Sequence, residues 1–239
     1  MVLQTRGNRA MILAAGLGTR MQPVTNDKPK ALVEWEGVPM LEHIILKLKS
    51  QGFDQIVINV HHFAQMIIDF VNQKSQFGIQ IEFSHEVEEP LDTGGGVAFA
   101  SRFFDQKPFL VHNVDIMSNI DLRKLCDSHI QSGAIATMAV KDRETSRSLL
   151  MNPHNLLKGW RDNRTGETRL VDGDSQELLP IAFSCVHVMN PEIFNFFPSE
   201  KKFSITPFYL ELAKQRDIHL YRHDSDTWID MGRLDSYKQ

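Results

Sequence analysis

Apolar and polar positions along this chain change period repeatedly, and the changes mark out alternating strands and helices. Ala10–Ala14 is an unbroken small and apolar run, the pattern of a strand covered on both faces. From Met40 to Gln51 the apolar residues Leu41, Ile44, Ile45 and Leu48 recur at helical spacing, and Gly52 supplies a stop. The same reading predicts strands over Gln55–Val60, Ile79–Phe83, Phe109–Asn113 and Ile135–Val140. Between them it predicts helices over Phe63–Asn72, Gly95–Phe103 and Leu122–Ser132. Such alternation implies an α/β fold with a mainly parallel sheet and helices on both faces. The rhythm breaks after Lys141. Leu149–Leu170 mixes Asn, Pro, Gly and charge with short apolar stretches, which predicts a hairpin or lid. Pro180–Met189 returns as a strand, Pro191–Phe197 and Thr206–Arg216 as helices, and Ile218–Tyr221 as a late strand.

Length and charge narrow the class. The chain has 239 residues, enough for one substantial core, and the expected division is a polar extension over 1–9 followed by a single domain over 10–239. Net charge is −4, so no global basic field invites nucleic acid or an anionic membrane surface, and neither is expected as a partner. Two cysteines, Cys126 and Cys185, build no disulfide framework and no four-ligand zinc site. No apolar run reaches the length of a membrane span, and residues 1–9 lack a signal-peptide core, so the expected compartment is the cytoplasm. No hexapeptide repeat is present, and homo-oligomerisation stays open.

The candidate chemistry begins with Leu13-Ala14-Ala15-Gly16-Leu17-Gly18-Thr19-Arg20-Met21, directly after the first strand. A small-residue turn there exposes backbone N–H groups at the carboxyl end of the sheet, where open α/β sheets hold phosphate-bearing ligands. Arg20 and Lys30 add fixed positive charge. A dinucleotide fingerprint needs a third Gly where Met21 stands, and a P-loop needs Gly-Lys-Ser/Thr where Gly18-Thr19-Arg20 stands. The ordered set Leu13, Gly16, Gly18, Thr19, Arg20, Met21, Pro23, Thr25, Pro29 and Lys30 instead resembles the signature of the sugar-nucleotide nucleotidyltransferases. Asp115, after the strand Phe109–Asn113, and Asp230, in Trp228-Ile229-Asp230-Met231-Gly232, resemble that family's two acids. The family usually has Gly before the first acid. Here β-branched Val114 stiffens the turn and bears on the aim of Asp115.

The resemblance runs from Ala10 to Gly232 and implies a Rossmann-like three-layer sandwich, with 10–140 as the nucleotide-binding half and 141–239 as the sugar-binding half. The implied reaction joins a nucleoside triphosphate to a sugar 1-phosphate, releasing pyrophosphate. In it Arg20 and Lys30 would be catalytic, and Asp115 and Asp230 would hold Mg²⁺. Leu13, Ala14, Ala15, Gly16, Gly18 and Thr19 would bind the nucleotide, together with Thr93, Gly94 and Gly95 of the run Glu89-Pro90-Leu91-Asp92-Thr93-Gly94-Gly95-Gly96. Asp92, in place of the family's Gly, resembles the muramate-1-phosphate uridylyltransferase branch, which favours UTP and N-acetylmuramate 1-phosphate. Glu86 stands near the place where uridylyl and thymidylyl enzymes often put Gln, so the base stays open. Lys141, Arg143, Arg147, Lys158 and Arg161 form the pool of cations for the sugar phosphate, with no one of them singled out, and Phe183-Ser184-Cys185 resembles the strand lining the sugar pocket. The alternatives are a mannose- or heptose-1-phosphate guanylyltransferase, a cytidylyltransferase acting on phosphocholine, and a non-catalytic nucleotide-sugar sensor. Last comes a dehydrogenase, against which Met21 counts. The ten histidines, including His61-His62, His219 and His223, read as structural or surface residues.

Overall fold

The computed structural model describes residues 8–104, 106–172 and 177–232. Of the expected N-terminal extension, residues 1–7 lie outside the described residues, and the first strand already begins at Arg9. In chain order the elements are β1 (Arg9–Leu13), β2 (Glu34–Trp35), β3 (Val38–Pro39), α1 (Met40–Ser50), β4 (Gln55–Val60), α2 (Ala64–Gln73) and β5 (Gln80–His85). They continue with α3 (Asp92–Phe99), β6 (Phe109–Asn113), β7 (Ile116–Ser118), α4 (Leu122–Ser132), β8 (Ala136–Lys141), β9 (Arg147–Met151), β10 (Leu157–Asp162) and β11 (Thr168–Leu170). The last are β12 (Leu179–Met189), α5 (Ile205–Leu212), β13 (Ile218–Arg222) and β14 (Trp228–Asp230).

The main sheet runs β5-β4-β1-β6-β12-β8-β13. Its first four strands are parallel, β12 is antiparallel to both β6 and β8, and β13 is parallel to β8. Both faces are covered, as the apolar runs require. Ala10 and Ile12 of β1 pack with Ile44 and Leu48 of α1, Ile67 of α2 and Leu125 of α4. Met11, pointing the other way by strand alternation, packs with Val97 of α3 and Phe208 of α5. The phenylalanines near Pro198 belong to this second layer: Phe194 stacks on Phe109 at 5.7 Å, and Phe197 meets Phe208 at 4.7 Å. No helix among the described residues is long and apolar enough to cross a membrane.

The irregular region after Lys141 is a small antiparallel sheet, β9-β10-β11. It joins the main sheet through β12, whose Leu179–Ile181 end pairs with β9 while Ala182 onward pairs with β8 and β6. The register of β12 shifts between Phe183 and His187, and Cys185 inside the shift has φ +57°. This bulge lets one strand serve two sheets.

Several elements differ from expectation. The helix expected over Gly95–Phe103 begins at Asp92, ends at Phe99, and gives way to a 3₁₀ turn over Ser101–Phe103. Pro191–Phe196 is 3₁₀ rather than α, and α5 stops at Leu212. The hairpin β2–β3 and the pair β7–β14 are additions, and the second of these builds the site.

Candidate active site

The turn after β1 is locked by Gly18 and Thr25. Gly18 has φ +69°, and a Cβ on it would lie 3.1 Å from Thr25 Cγ2. Buried Thr25 donates its hydroxyl to the Gly18 carbonyl at 2.9 Å. The chain then makes a 3₁₀ turn over Thr19–Met21 that drives Met21 fully into the core. Met21 therefore fills the interior where a dinucleotide fold needs glycine for helix–strand contact. No α-helix opens here, since α1 starts only at Met40. Positive potential at this turn comes from side chains and loop N–H groups rather than from a helix dipole. Leu17, Thr19 and Arg20 are exposed, and Arg20 has no ion pair among the described residues.

Two loop amides are already engaged. Ala14 and Ala15 donate their N–H groups to Asn59 Oδ1 at 2.8 and 3.2 Å. The Asn59 amide in turn donates to Glu86 Oε1, and the Leu91 N–H donates to Glu86 Oε2 at 2.8 Å. Burial of Glu86 raises its pKa, against the lowering effect of those two donors. A buried chain of hydrogen bonds thus ties the first turn to the start of α3. Each Glu86 oxygen accepts one of these donors, so Glu86 braces the two segments.

The glycines of α3 answer to the protein's own packing. A Cβ on Gly96 would lie 2.7 Å from Asn59 Nδ2 and 2.8 Å from Glu86 Oε1, and one on Gly94 would meet the Phe203 ring. The N–H groups of Gly94 and Gly95, expected at a ligand, donate to the Phe203 carbonyl at 2.9 and 3.1 Å. Thr93 Oγ1 accepts the Ile205 N–H at 3.0 Å. These three residues fasten the 201–205 segment to the start of α3.

Lys30, Asp115 and Asp230 come together at the mouth of the turn. Lys30 Nζ donates to Asp115 Oδ2 at 2.6 Å, and it lies 4.0 Å from where a Gly16 Cβ would be. Strand β14 pairs with β7 so that Asp230 faces Ile116, one residue beyond Asp115, and the Met231 N–H donates to the Asp115 carbonyl at 2.8 Å. Gly232 donates its N–H to Asp230 Oδ1 at 2.8 Å. A Cβ on Gly232 would lie 2.9 Å from that oxygen and inside contact distance of Asp115 Oδ2. The two carboxylates therefore flank a cradle that only glycine leaves open. Val114 turns into the core, 1% exposed, and its N–H donates to the Leu13 carbonyl at 3.1 Å. The stiff turn thus presents Asp115 to the site. Two hard oxygen donors fit Mg²⁺, which binds through one or two carboxylates with substrate phosphates and water. Among the described residues no cluster of three or more His, Cys, Asp or Glu side chains adds to them.

A cavity of about 510 Å³ opens beside these acids, between the small sheet and α5. At its inner end Arg143 stacks on Trp228 at 3.7 Å and donates to the Phe183 carbonyl at 2.9 Å. Cys185 lies there too, its thiol pushed up to about 12 by burial and then by Asp115 and Asp230. Of the expected cation pool, Arg143 and Arg147 line this cavity. Lys158 is turned to Asp172 at 2.8 Å, Lys141 donates to the Asp224 carbonyl, and Arg161 falls on the opposite side of β10 from Trp160. Arg164, Arg169 and Trp160 line the cavity without having been expected. Arg169 stands directly across the ladder from Trp160, a register that only the pairing of β10 with β11 reveals.

Four of the histidines, His112, His129, His187 and His223, are buried. His112, His187 and His129 are held neutral by burial, with pKa values lowered to about 3, 3 and 4. His187 Nδ1 shares a 2.6 Å hydrogen bond with Tyr209, and His223 Nε2 one of 2.7 Å with Ser184.

This geometry has known relatives. A family model described as nucleotidyl transferase matches residues 9–149, a stretch that includes the first turn, Lys30, the α3 glycines and Asp115. The chain belongs to the nucleotidyl transferase family. It is thereby an enzyme of that family, built on its Rossmann-like fold. An N-acetylmuramate alpha-1-phosphate uridylyltransferase from Caulobacter vibrioides is 34% identical over 213 residues, which cover 85% of this nucleotidyl transferase and 84% of the relative. A D-glycero-alpha-D-manno-heptose 1-phosphate guanylyltransferase from Aneurinibacillus thermoaerophilus is 28% identical, with 96% and 95% covered. Among solved structures, HddC from Yersinia pseudotuberculosis complexed with GMP-PN superposes with a TM-score of 0.76 at 24% identity, covering 96% of each chain.

Proposed function

We propose that this nucleotidyl transferase joins UTP to N-acetylmuramate 1-phosphate, giving the nucleotide-sugar and pyrophosphate. The observation that carries nucleotidyl transfer is the meeting of Lys30, Asp115 and Asp230 at the Gly16 turn. The uridylyl and muramate assignment is supported by the relative from Caulobacter vibrioides and by Asp92 in the α3 run.

In the reaction an oxygen of the sugar phosphate attacks the α-phosphorus in line. The new O–P bond forms as the bond to the bridging oxygen of pyrophosphate breaks. The attacking oxygen is already anionic at neutral pH, so no general base is needed, and catalysis is positioning plus charge stabilisation. Lys30, held by Asp115, would lie against the α-phosphate as its charge spreads. Arg20, exposed at the rim, would neutralise the departing pyrophosphate. Asp115 and Asp230 would hold Mg²⁺, which when bound supplies charge neutralisation of the phosphates. Arg143, clamped on Trp228, would meet the sugar phosphate at the inner end of the cavity.

The test is pyrophosphate release with Mg²⁺, crossing UTP, GTP, CTP and dTTP with a panel of sugar 1-phosphates. Release confined to UTP and N-acetylmuramate 1-phosphate upholds the proposal. Release with GTP and a mannose or heptose 1-phosphate would replace it with the guanylyl reading, which the Aneurinibacillus relative favours. Silence across the panel from folded protein that binds a nucleotide would favour a sensor.

A further inference from the structure

The cavity beside the acids carries more positive charge than a single phosphate requires. Besides Arg143 it is lined by Arg147, Arg164 and Arg169, and among the described residues by no acidic side chain. These three lie on the small sheet: Arg147 in β9, Arg164 in the turn after β10, and Arg169 in β11. They form the outer end, away from Cys185 and Arg143, which border Asp115 and Asp230. Among the described residues two acids contact them, both outside the lining. Asp162 lies 3.0 Å from Arg164 and 4.0 Å from Arg147, and Glu167 lies 2.8 Å from Arg169.

These contacts orient the guanidinium groups more than they consume them. Asp162 is 5% exposed and accepts the N–H groups of Arg164 and Thr165 as well as the Arg164 side chain. The Arg164 side chain, and then the Arg164 N–H, hold its carboxyl down at about 2, so it stays an anion. The Arg164 and Arg147 side chains are each 65% exposed where they line the cavity, so their contacts with Asp162 do not enclose them. Trp160, across the ladder from Arg169 with the guanidinium 5.5 Å from its ring, gives an apolar wall beside the charges. Planar guanidinium forks next to a flat wall suit a carboxylate held at two oxygens.

We propose that Arg147, Arg164 and Arg169 read a second anionic group on the acceptor, a carboxylate set apart from the anomeric phosphate. This proposal rests on the transferase reading of the same site. One phosphate is met at the inner end by Arg143, and the outer arginines then select acidic sugar phosphates over neutral ones of similar size. A second phosphate shares the chemistry and is separated from a carboxylate by the choice of acceptors.

The experiment compares kcat/KM with N-acetylmuramate 1-phosphate, with N-acetylglucosamine 1-phosphate, which lacks the acid, and with glucose 1,6-bisphosphate. It uses the wild type, Arg164→Gln, Arg147→Gln and Arg164→Lys. The expected wild-type preference for the carboxylate acceptor over the neutral one is roughly 10- to 100-fold, the scale of one charge-assisted hydrogen bond. Either Gln variant should cut that preference about 10-fold through KM with kcat held, and Arg164→Lys should restore part of it. Equal kcat/KM for the acidic and neutral acceptors would overturn the proposal while leaving the transferase reading intact. Preference for the bisphosphate would overturn the carboxylate assignment. Turnover with no acceptor at all would overturn the transferase reading and this proposal together.

Discussion

Replacing Gly232 by Ala tests whether Asp115 and Asp230 act as one unit. The backbone permits the change, because Gly232 is not in the left-handed region. The new Cβ would lie 2.9 Å from Asp230 Oδ1 and inside contact distance of Asp115 Oδ2, so one carboxylate must move. Overpacking costs about 1–3 kcal/mol, and the stiffer unfolded chain returns about 0.4–1 kcal/mol, so the net loss is at most about 2.5 kcal/mol. In a domain of this size that is a fall in Tm of no more than roughly 10 °C. Turnover should suffer more, because a misplacement of about 1 Å at a reacting centre costs on the order of 10²-fold. Pyrophosphate release would be measured across a Mg²⁺ titration, with Tm recorded on the same samples. The expected result is a kcat lower by about 10²-fold and a rightward shift in the Mg²⁺ dependence, in protein still folded at the assay temperature. A kcat within about threefold of wild type with unchanged Mg²⁺ dependence would refute the shared cradle.

Lys30→Ala should lower kcat by on the order of 10²-fold or more, the scale of one preorganised charge, and wild-type turnover would remove Lys30 from the mechanism. Asn59→Ala strips the acceptor from the Ala14 and Ala15 N–H groups and a donor from Glu86, at about 1–3 kcal/mol for each buried group left unpaired. A lowered Tm with a raised KM for the nucleotide is expected, and an unchanged Tm would show that water replaces the amide. Stability should also fall in mild acid. His112, His187 and His129 have folded-state pKa values far below the ordinary 6.5, so the unfolded chain takes up their protons first as pH drops. Their contribution is complete above 6.5 and is lost as pH falls toward 3–4, by roughly 3 kcal/mol for the three between pH 6.5 and 5.5. Denaturant midpoints that stay flat over that interval would contradict the neutral, buried assignment.

Long periodic elements were legible because each buries a face that imposes its period. The Gln55–Val60 strand and the Leu122–Ser132 helix stand where the pattern put them. The strands that assemble the acids did not show. β7 and β14 are three residues each, too short for a period of two to register, and they hold together only because each is the other's partner. The α3 glycines misled for a different reason. Each costs about 1 kcal/mol in a helix interior, so local preference delays the helix start to Gly95, yet the Phe203 ring on one side and Asn59 with Glu86 on the other leave no room for a Cβ and the helix begins at Asp92. The first-turn signature carried the ordered run of residues, but not that Ala14 and Ala15 spend their N–H groups on Asn59, a residue of β4. Arg164 and Arg169 escaped notice because their place in the cavity lining depends on how β12 bends between two sheets.

The pairing of β7 with β14 also has a bearing on how the enzyme is made. Asp115 leaves the ribosome with the first half of the chain, whereas Asp230 arrives only after the small sheet, α5 and β13 have been synthesised. Translation interrupted between β7 and β14 therefore yields a polypeptide with the loop, Lys30 and one acid, but without the second carboxylate. On the transferase reading proposed above, such fragments should release no pyrophosphate, whatever length they reach short of β14.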